Sequence, residues 1–454
     1  MTMTKQRYTI LLLLFAVAGF SYQSRAQEST LKHFFTQSPL SLQTNPANLS
    51  NDAQWFFGIP VLSNFNINAN MGVSYSDMFR RTPDNSIQVK PSVLDKVRSS
   101  IPLNGGARVD LVSFGFRGHP QHLITFSTSV VADVSLALPG DAFRLLIAGN
   151  RPGEALNIKM NPAASAYFET AIGYSFTIND SWKVGARVKY LLGMANLYGP
   201  SSNIILNTDP TDYSMRLRAD ALLHTSNLSS LDSDPLTPLK RCFDNPGFAF
   251  DFGVRYNTEI EGLSVGLSLI DWGWINWTSD LTSYEAKLAN TEFVFTGLSN
   301  LNGNFQQIID TLKNSFGFEK RTGTSYRAPL PGKIYIDATY DLTQYDKFGF
   351  LFGTRALDHF SRTTFTLMYN RSVGEWLSVS LGNNFMRSHI FNPSMALYLK
   401  GGTFQFFLAV ENLSSVSATT AHAAGLHFGL NLTFNSKAQP VKEESSPRFY
   451  DHTQ

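Results

Sequence analysis

Charge, cysteine and long apolar runs are all scarce in this 454-residue chain. Only 16% of its residues are charged, whereas soluble domains carry about 25%. Beyond the signal-like N-terminus no apolar run approaches the roughly 18 residues that a spanning helix needs. A single cysteine, Cys242, excludes an internal disulfide and any metal site built from several cysteines.

Aromatic residues, in contrast, are abundant. They make up 13% of the chain, with 36 Phe and 17 Tyr, yet the mean hydropathy is only −0.11. Outer-membrane barrels have this combination, because their apolar residues occupy alternate strand positions and hydropathy averages them away.

The N-terminus has the three parts of a secretory signal. Lys5 and Arg7 precede an apolar core, and Ser24-Arg25-Ala26 supplies small residues around a cleavage site before Gln27. The alternative, a membrane anchor, needs a longer apolar core. Removal of residues 1–26 takes away three basic residues and no acid, so the formal net charge changes from +2 to −1. A near-neutral mature chain gives no reason to expect a nucleic-acid partner.

The stretch FNINANMGVSYS, from Phe65 to Ser76, alternates without exception between apolar and uncharged polar residues. A period of two predicts a strand with one apolar and one polar face. We expect Phe65, Ile67 and Met71 to face lipid and the three Asn residues to face a wet lumen.

The same alternation recurs along the chain and predicts an all-β protein. Strands are expected near residues 55–63, 107–117, 121–137, 164–177, 182–193, 213–221, 248–256, 263–271, 333–341, 347–354, 363–370, 376–384, 394–400, 403–411 and 424–434. Fourteen to sixteen strands suit a medium-sized transmembrane antiparallel β-barrel, with about 14 as our estimate. A secreted sandwich would alternate too, but its heavily aromatic faces would then form large exposed apolar patches.

Polar faces of the predicted strands carry charges of both signs. If every apolar face points to lipid, these charges line the lumen, where internal ion pairing is the simpler interpretation and a selectivity ring the alternative. The predicted luminal charges are Arg187, Lys189, Arg216, Arg218, Asp251, Arg255 and Asp337.

The last predicted strand, LHFGLNLTF, resembles the C-terminal assembly signal of outer-membrane barrels. The matching positions are polar His427, Gly429, apolar Leu432 and aromatic Phe434. Members of that class usually end at the aromatic residue, whereas about twenty polar residues follow here, which predicts a disordered periplasmic tail. The resemblance implies the barrel-assembly machinery as a partner during insertion.

Three segments between the strands have other patterns. Leu138–Asn150 has a helical apolar spacing, with Asp141 as a candidate N-cap, and 303–317 places five apolar residues on one helical stripe. The polar stretch Thr225–Gly247 predicts an external loop. We expect small helices in the loops. We interpret the long stretch of about 279–331, which contains 303–317, as a packed extracellular loop, or alternatively as a ligand-gating lid.

The stretch LQTNPANLS resembles the Asn-Pro-Ala element that precedes the first strands of FadL-type hydrophobic-compound channels and of PorV- and PorP-type barrels. The stretches GFAFDFGVRY, LPGDAFRLLIAGN and LPGKIYIDATYDL further resemble an outer-membrane family of unknown function. This resemblance implies that Asn45, Pro46 and Ala47 belong to a small plug. A tight turn capped by Asn45 is the plainer interpretation.

These patterns divide the chain into a signal peptide (1–26), an N-terminal plug segment (27–50), an outer-membrane barrel (51–434) and a periplasmic tail (435–454). The mature protein is expected in the outer membrane of a diderm bacterium, in contact with outer-membrane lipid.

No enzyme motif stands out. Gly-x-Ser-x-Gly and HExxH are both absent, and His422 and His427 are expected on opposite faces of a strand. We therefore predict no enzyme, no metal and no cofactor. The leading hypothesis is passive uptake of a small hydrophobic molecule through a plugged barrel, and the rival is a docking or accessory subunit of a secretion or surface complex. A continuous apolar pocket would favour the first, and a packed interior the second.

Overall fold

The computed structural model describes residues 30–48, 53–81, 83, 87–96, 100–149, 151–228, 236–292, 319–357, 360–385, 391–413 and 421–434. The predicted signal peptide (1–26), the predicted helix at 303–317 and the predicted tail (435–454) lie outside these residues.

The described strands, in chain order, are β1 (Trp55–Gly58), β2 (Phe65–Asn70), β3 (Phe79–Arg81), β4 (Ile87–Val89), β5 (Ser100–His119), β6 (His122–Pro139), β7 (Ala155–Ile158), β8 (Ala163–Thr177), β9 (Trp182–Thr208), β10 (Met215–Ser226), β11 (Pro246–Asn257), β12 (Leu263–Trp277), β13 (Leu281–Glu292), β14 (Glu319–Thr322), β15 (Tyr326–Pro329), β16 (Lys333–Asp341), β17 (Asp346–Leu357), β18 (Phe360–Val373), β19 (Leu377–Phe385), β20 (Pro393–Gly401), β21 (Phe404–Glu411) and β22 (Ala423–Phe434). The helices are α1 (Tyr75–Met78), α2 (Val93–Lys96), α3 (Gly140–Ala148) and α4 (Thr237–Lys240), with 3-10 helices at Leu31–Phe34, Pro39–Gln43 and Cys242–Asp244.

The strands close into a 14-stranded antiparallel barrel, as predicted. β1 and β2 share the first wall position, because both pair with β5 on one side and with β22 on the other. β5, β6, β8, β9, β11, β12 and β16 to β22 complete the ring. Closure leaves no free edge in the wall, which is the condition for a sheet to stand in a bilayer.

The two ends of the barrel differ. At one end neighbouring strands are joined by tight turns, such as 120–121 between β5 and β6 and 402–403 between β20 and β21. Trp55 and Phe434, which begin and end the barrel, pair at this same end. Long connections lie at the other end. Short turns mark the periplasmic side of such barrels and long loops the extracellular side.

The alternating faces point as predicted over most of the wall. In β2, Ile67 is exposed and Asn66 is buried, and in β21 Phe404 is exposed whereas Phe407 is buried. The strand in the stretch FNINANMGVSYS, β2, is shorter than expected, because it ends at Asn70. Ser74 then begins α1 through a capping box with Asp77.

An extramembrane platform extends the wall at the extracellular end. It consists of β7, the upper half of β9, β10, β13 and β14, with α3 packed against its inner face. The buried cluster between sheet and helix contains Leu145, Leu156, Ile158, Ile204, Leu206, Leu217, Ala219, Ala221 and Ala286. Pro139, not Asp141, occupies the N-cap position of α3, and the Asp141 carboxylate accepts the Asn157 amide N–H at 2.9 Å.

The prediction that Arg216 and Arg218 line the lumen was wrong. Both side chains are exposed on the outer face of β10, while Leu217 and Ala219 point inward. The polarity of the faces is reversed because β10 lies in the platform, whose outer face meets water instead of lipid.

None of the described helices is long and apolar enough to cross a bilayer.

Candidate functional site

Residues 30–48, which we call the inner segment, lie inside the barrel. Almost all of its side chains are buried, although the segment contains only two short 3-10 helices. Leu31, Phe34, Phe35 and Leu40 form one apolar cluster with inward-facing wall residues such as Leu351 and Phe407. The rings of Phe35 and Phe407 meet edge to face, with centroids 5.0 Å apart. The inner segment therefore takes the place of a hydrophobic core within the barrel.

The upper end of the inner segment is bound to Glu411 of β21. One oxygen of the buried carboxylate accepts the amide N–H groups of Thr30 and Leu31, at 3.0 and 3.3 Å. The other accepts bonds from Asn384 and Ser394. Such bonds compensate the cost of burying a carboxylate.

A second anchor lies at His33. Its Nε2 is 2.9 Å from Oδ2 of Asp337 in β16, and both side chains are fully buried. The Arg255 guanidinium of β11 donates to the other oxygen of Asp337 at 2.7 Å and, through Nε, to Asn48 of the inner segment at 2.9 Å. These contacts hold the inner segment against the wall at His33 and at Asn48.

Asn45, Pro46 and Ala47 form a tight turn at the lower end. The Asn45 side chain accepts the Ala47 amide N–H at 2.9 Å, which is the capped turn considered from the sequence. Wall hydroxyls bind the backbone beside it, since Ser175 donates to the Pro46 carbonyl and Ser268 to the Thr44 carbonyl, each at 2.6 Å.

Two glycines make room for this turn. A Cβ at Gly185 of β9 would overlap the Pro46 carbonyl, and one at Gly253 of β11 would overlap the Asn45 side chain. Only backbone therefore separates the turn from the outer surface at these two positions.

Above the inner segment, wall charges form an ion-pair network across β5, β8, β9, β11, β12 and β16, with a further pair between β6 and β17. Lys189 contacts Asp251 at 2.8 Å and Asp271 at 2.5 Å, and Arg187 contacts Asp251 at 3.4 Å. Further pairs are Arg108–Glu169 at 2.7 Å, Arg108–Asp110 at 3.1 Å, Lys333–Asp271 at 3.1 Å and Arg355–Asp133. Paired in this way, charges of both signs can be tolerated in the interior.

Five of the predicted luminal charges, Arg187, Lys189, Asp251, Arg255 and Asp337, are thus inside the barrel and paired. The predicted luminal charges did not include Arg108, Glu169, Asp271 and Glu411, which also lie inside the barrel. Glu169 had a detectable signal, because it is the only charged residue of β8 and falls on the strand's inward positions.

The four residues of the predicted assembly signal all lie in the last strand, β22, but their environments differ. His427 is buried and its Nε2 is 2.8 Å from Asn64 Oδ1, while a Cβ at Gly429 would meet the side chain of Leu40. Leu432 is half-buried, and Phe434 is exposed beside Phe57. Their role in assembly stays a prediction.

Two small cavities lie among the described residues of the interior. One, of about 80 Å³, lies between the inner segment and the network and is lined by Lys32, Gln43, Arg108, Arg187 and Lys333, among others. The second, of about 50 Å³, lies towards the extracellular end beside Tyr198 and Leu330. Each has room for only a few water molecules.

A larger, apolar depression of about 430 Å³ lies on the outer side of the wall. It is open to the outside and lined by Tyr174, Val184, Ala186, Phe252, Val254, Leu267 and Leu269, with Gly185, Gly253 and Ser268 at its floor. The turn of Asn45 and Pro46 lies directly behind that floor.

No group of three or more His, Cys, Asp or Glu residues suited to a metal ion occurs among the described residues. His422 and His427 contact different amides, those of Asn392 and Asn64.

A closed antiparallel barrel with an apolar outer surface and a polar, filled interior is an outer-membrane β-barrel. The chain belongs to the family described as Family of unknown function (DUF5723), whose sequence profile matches residues 46–411. No curated protein matches the chain.

Several solved structures are similar to this chain. A Pseudomonas aeruginosa FadL homologue is 11% identical, with 88% of this chain and 94% of that chain covered and a TM-score of 0.39. A TodX deltaS2S3 mutant monoaromatic hydrocarbon channel is 8% identical, with 88% and 94% covered and a TM-score of 0.43. The Pseudomonas putida toluene transporter TodX is 8% identical, with 87% and 91% covered and a TM-score of 0.40. The molecules that those channels carry are properties of those proteins and are not assigned to this chain.

Proposed function

We propose that this protein is a passive outer-membrane channel for a small hydrophobic molecule, and that its inner segment closes the channel in the present conformation. The mature chain would reside in the outer membrane of a diderm bacterium after cleavage of residues 1–26, surrounded by lipid and inserted by the barrel-assembly machinery.

The observation that carries this proposal is the apolar depression on the outer wall. Its volume is about 430 Å³ and its lining is apolar, as sites for small hydrophobic molecules usually are. At its floor only the backbone at Gly185 and Gly253 separates it from the Asn45-Pro46 turn. A shift of the inner segment at this turn would alter the wall at the floor of the depression, which is where a small apolar molecule would bind.

The interior supports gating rather than an open pore. The two cavities described above are small, and the larger is bordered by paired charges, so among the described residues they give bulk solutes no route while the inner segment is in place. Non-covalent contacts hold the described segment in place, chiefly at Glu411, Asp337 and the two serine hydroxyls. Contacts of this kind allow a conformational change without breaking a covalent bond.

Ala186→Trp tests the proposal by filling the depression from the lipid side. The matched control is Val188→Trp, which changes the next outward position of β9, exposed by 52% and outside the depression. In proteoliposomes whose lipopolysaccharide-bearing outer leaflet excludes the apolar dye N-phenyl-1-naphthylamine, we expect slower uptake with Ala186→Trp and unchanged uptake with Val188→Trp.

A second candidate function, docking, rests on the filled lumen together with the platform. The platform's outer face carries Arg216, Arg218 and Asp220, and it also presents Lys287 and Arg321. Hydrogen bonding by Lys287, aided by the charge of Arg321, lowers the pKa of the Glu285 carboxyl there. Dye uptake no faster than in protein-free liposomes for all three proteins would favour docking over the channel.

A further inference from the structure

The segment Leu236–Asp244, which we call the foot, presents its apolar side chains outward. It consists of α4 and the following 3-10 helix. Leu236, Leu239 and Phe243 are exposed by 58%, 48% and 73%. Pro238 and Cys242, on the opposite side, are buried. A short helical segment facing water would have the reverse arrangement.

The foot is fixed to the top of the barrel wall. Asn245, which follows it, is fully buried and donates to the Gly193 carbonyl at 3.1 Å and to Ser279 Oγ at 2.9 Å. It also accepts the Thr278 amide N–H at 2.8 Å. β11 begins at the next residue, so Phe243 stands three residues above the first wall pair, Pro246 with Leu192.

An aromatic group on the outer wall lies just below the foot, and we call it the upper girdle. Its members are Tyr190, Phe248, Trp272 and Trp274. Phe248 pairs with Trp274 across β11 and β12, and its ring lies 5.3 Å from that of Tyr190. Girdles of this kind mark the depth at which lipid headgroups meet acyl chains.

Basic side chains accompany both features. Lys240 and Arg241 are exposed on the foot, and Arg327 of β15 places its guanidinium 4.8 Å from the ring centre of Trp274 while donating to Asn276 at 3.1 Å. Asp244 is the exposed acid at the end of the foot. Cations at headgroup depth attract anionic lipid.

We propose that the foot and the upper girdle together bind an anionic, phosphate-bearing lipid of the outer leaflet. Leu236, Leu239 and Phe243 enter the acyl region, and Arg241 and Arg327, with Lys240, contact the phosphate. The foot is continuous with the apolar belt of the barrel, which already faces lipid, and this continuity identifies its occupant. The proposal goes beyond the channel function and does not depend on it.

Insertion is tested by a fluorescent nitrobenzoxadiazole label at position 243. The variant is Phe243→Cys in a Cys242→Ser background, in nanodiscs of phosphatidylcholine with a minority of phosphatidylglycerol. The matched control carries the label through Arg218→Cys on the water-facing side of the platform. We expect doxyl-labelled lipid to quench the label at 243 and aqueous iodide to quench the label at 218. Equal quenching of both labels by iodide would overturn insertion. Insertion would also be overturned if the label at 243 were protected from iodide only in a dimeric fraction in detergent.

The phosphate contact has its own test. Quenching of the label at 243 is compared for doxyl-labelled phosphatidylglycerol and doxyl-labelled phosphatidylcholine at equal fractions. We expect a preference for the anionic lipid of about fivefold for each engaged cation. Lys240→Gln, Arg241→Gln and Arg327→Gln together should reduce this preference towards one, while Arg216→Gln with Arg218→Gln should leave it unchanged. No preference in the parent, or a preference that survives the three changes, would overturn the assignment of an anionic lipid.

Heat-modifiable migration on gels shows whether each variant is a folded barrel, and only folded variants enter the comparison. Because the labelled parent and the glutamine variants keep the inner segment and the outer depression unchanged, dye uptake should be the same in all of them. Loss of the lipid preference with unchanged uptake therefore separates this site from the channel.

Discussion

The imidazole of His33 lies 2.9 Å from the carboxylate of Asp337, although the two residues are separated by most of the barrel sequence. His33 belongs to the inner segment and Asp337 to the wall, so this contact joins the part that closes the barrel to the part that forms it. Arg255 completes the group by contacting Asp337 and Asn48.

His33→Ala should loosen the inner segment without preventing barrel formation. Asp337 keeps its bond from Arg255, so the loss is one buried polar contact, about 1–3 kcal/mol. We expect faster cleavage of the segment by protease added to the purified protein, with unchanged heat-modifiable migration. Lys400→Ala, at the far end of β20, is a control. Equal protease resistance of the His33 variant and the parent would argue against the anchor.

Gly253→Ala should destabilise the folded protein because a Cβ there overlaps the Asn45 side chain. Overpacking of this kind costs about 1–3 kcal/mol. Gly401→Ala is the matched control, since nothing lies within 4 Å of a Cβ at that position. The midpoint of urea unfolding, followed by loss of heat-modifiable migration, should fall for the first variant and not for the second. Equal midpoints would contradict the close packing of the Asn45 side chain against Gly253.

Among substitutions of a single charged residue, Lys189→Met should be one of the most destabilising. It leaves Asp251, Asp271 and Glu169 with fewer cations in a buried network, and breaking a buried ion pair costs about 3–5 kcal/mol. Arg218→Met, on the water-facing side of β10, should change stability by roughly 0.5 kcal/mol or less. Urea midpoints measured for both proteins check this ranking, and similar midpoints would contradict it.

Phe434→Ala should lower insertion into the outer membrane, because Phe434 closes the strand that resembles the assembly signal. Deletion of 437–454 should have little effect, since it leaves the signal intact and close to the C-terminus. The amount of heat-modifiable barrel in membrane fractions measures both. If the deletion impairs insertion more than Phe434→Ala, the signal does not end at Phe434.

The sequence predicts the wall better than the interior. Alternation in stretches such as Phe248 to Tyr256 reports directly which face meets lipid, and it was sufficient to derive a barrel of about 14 strands. It failed at Arg216 and Arg218, because the same pattern has the opposite meaning once a strand leaves the membrane. Local patterns contain no sign of that boundary.

The internal anchors could not be derived, because they join residues distant in sequence. Glu411 binds Thr30 across 381 positions, and Arg355 binds Asp133 across 222. His33 lies in a segment without period, where a lone histidine gives no local indication of a partner. Asn45-Pro46-Ala47 was located through a resemblance, and the glycines that receive it became meaningful only when strands β9 and β11 were placed beside it.

Closure of the barrel by its inner segment is the central claim, and conductance in planar bilayers tests it most directly. The intact protein should show little steady conductance, and deletion of 27–50 should increase it, because the deletion removes residues 30–48, which lie inside the barrel. Folded barrel must be confirmed for both proteins by heat-modifiable migration. Low conductance in both proteins, with no lipid or detergent retained inside, would favour the docking role. Large and stable conductance in the intact protein would contradict the account.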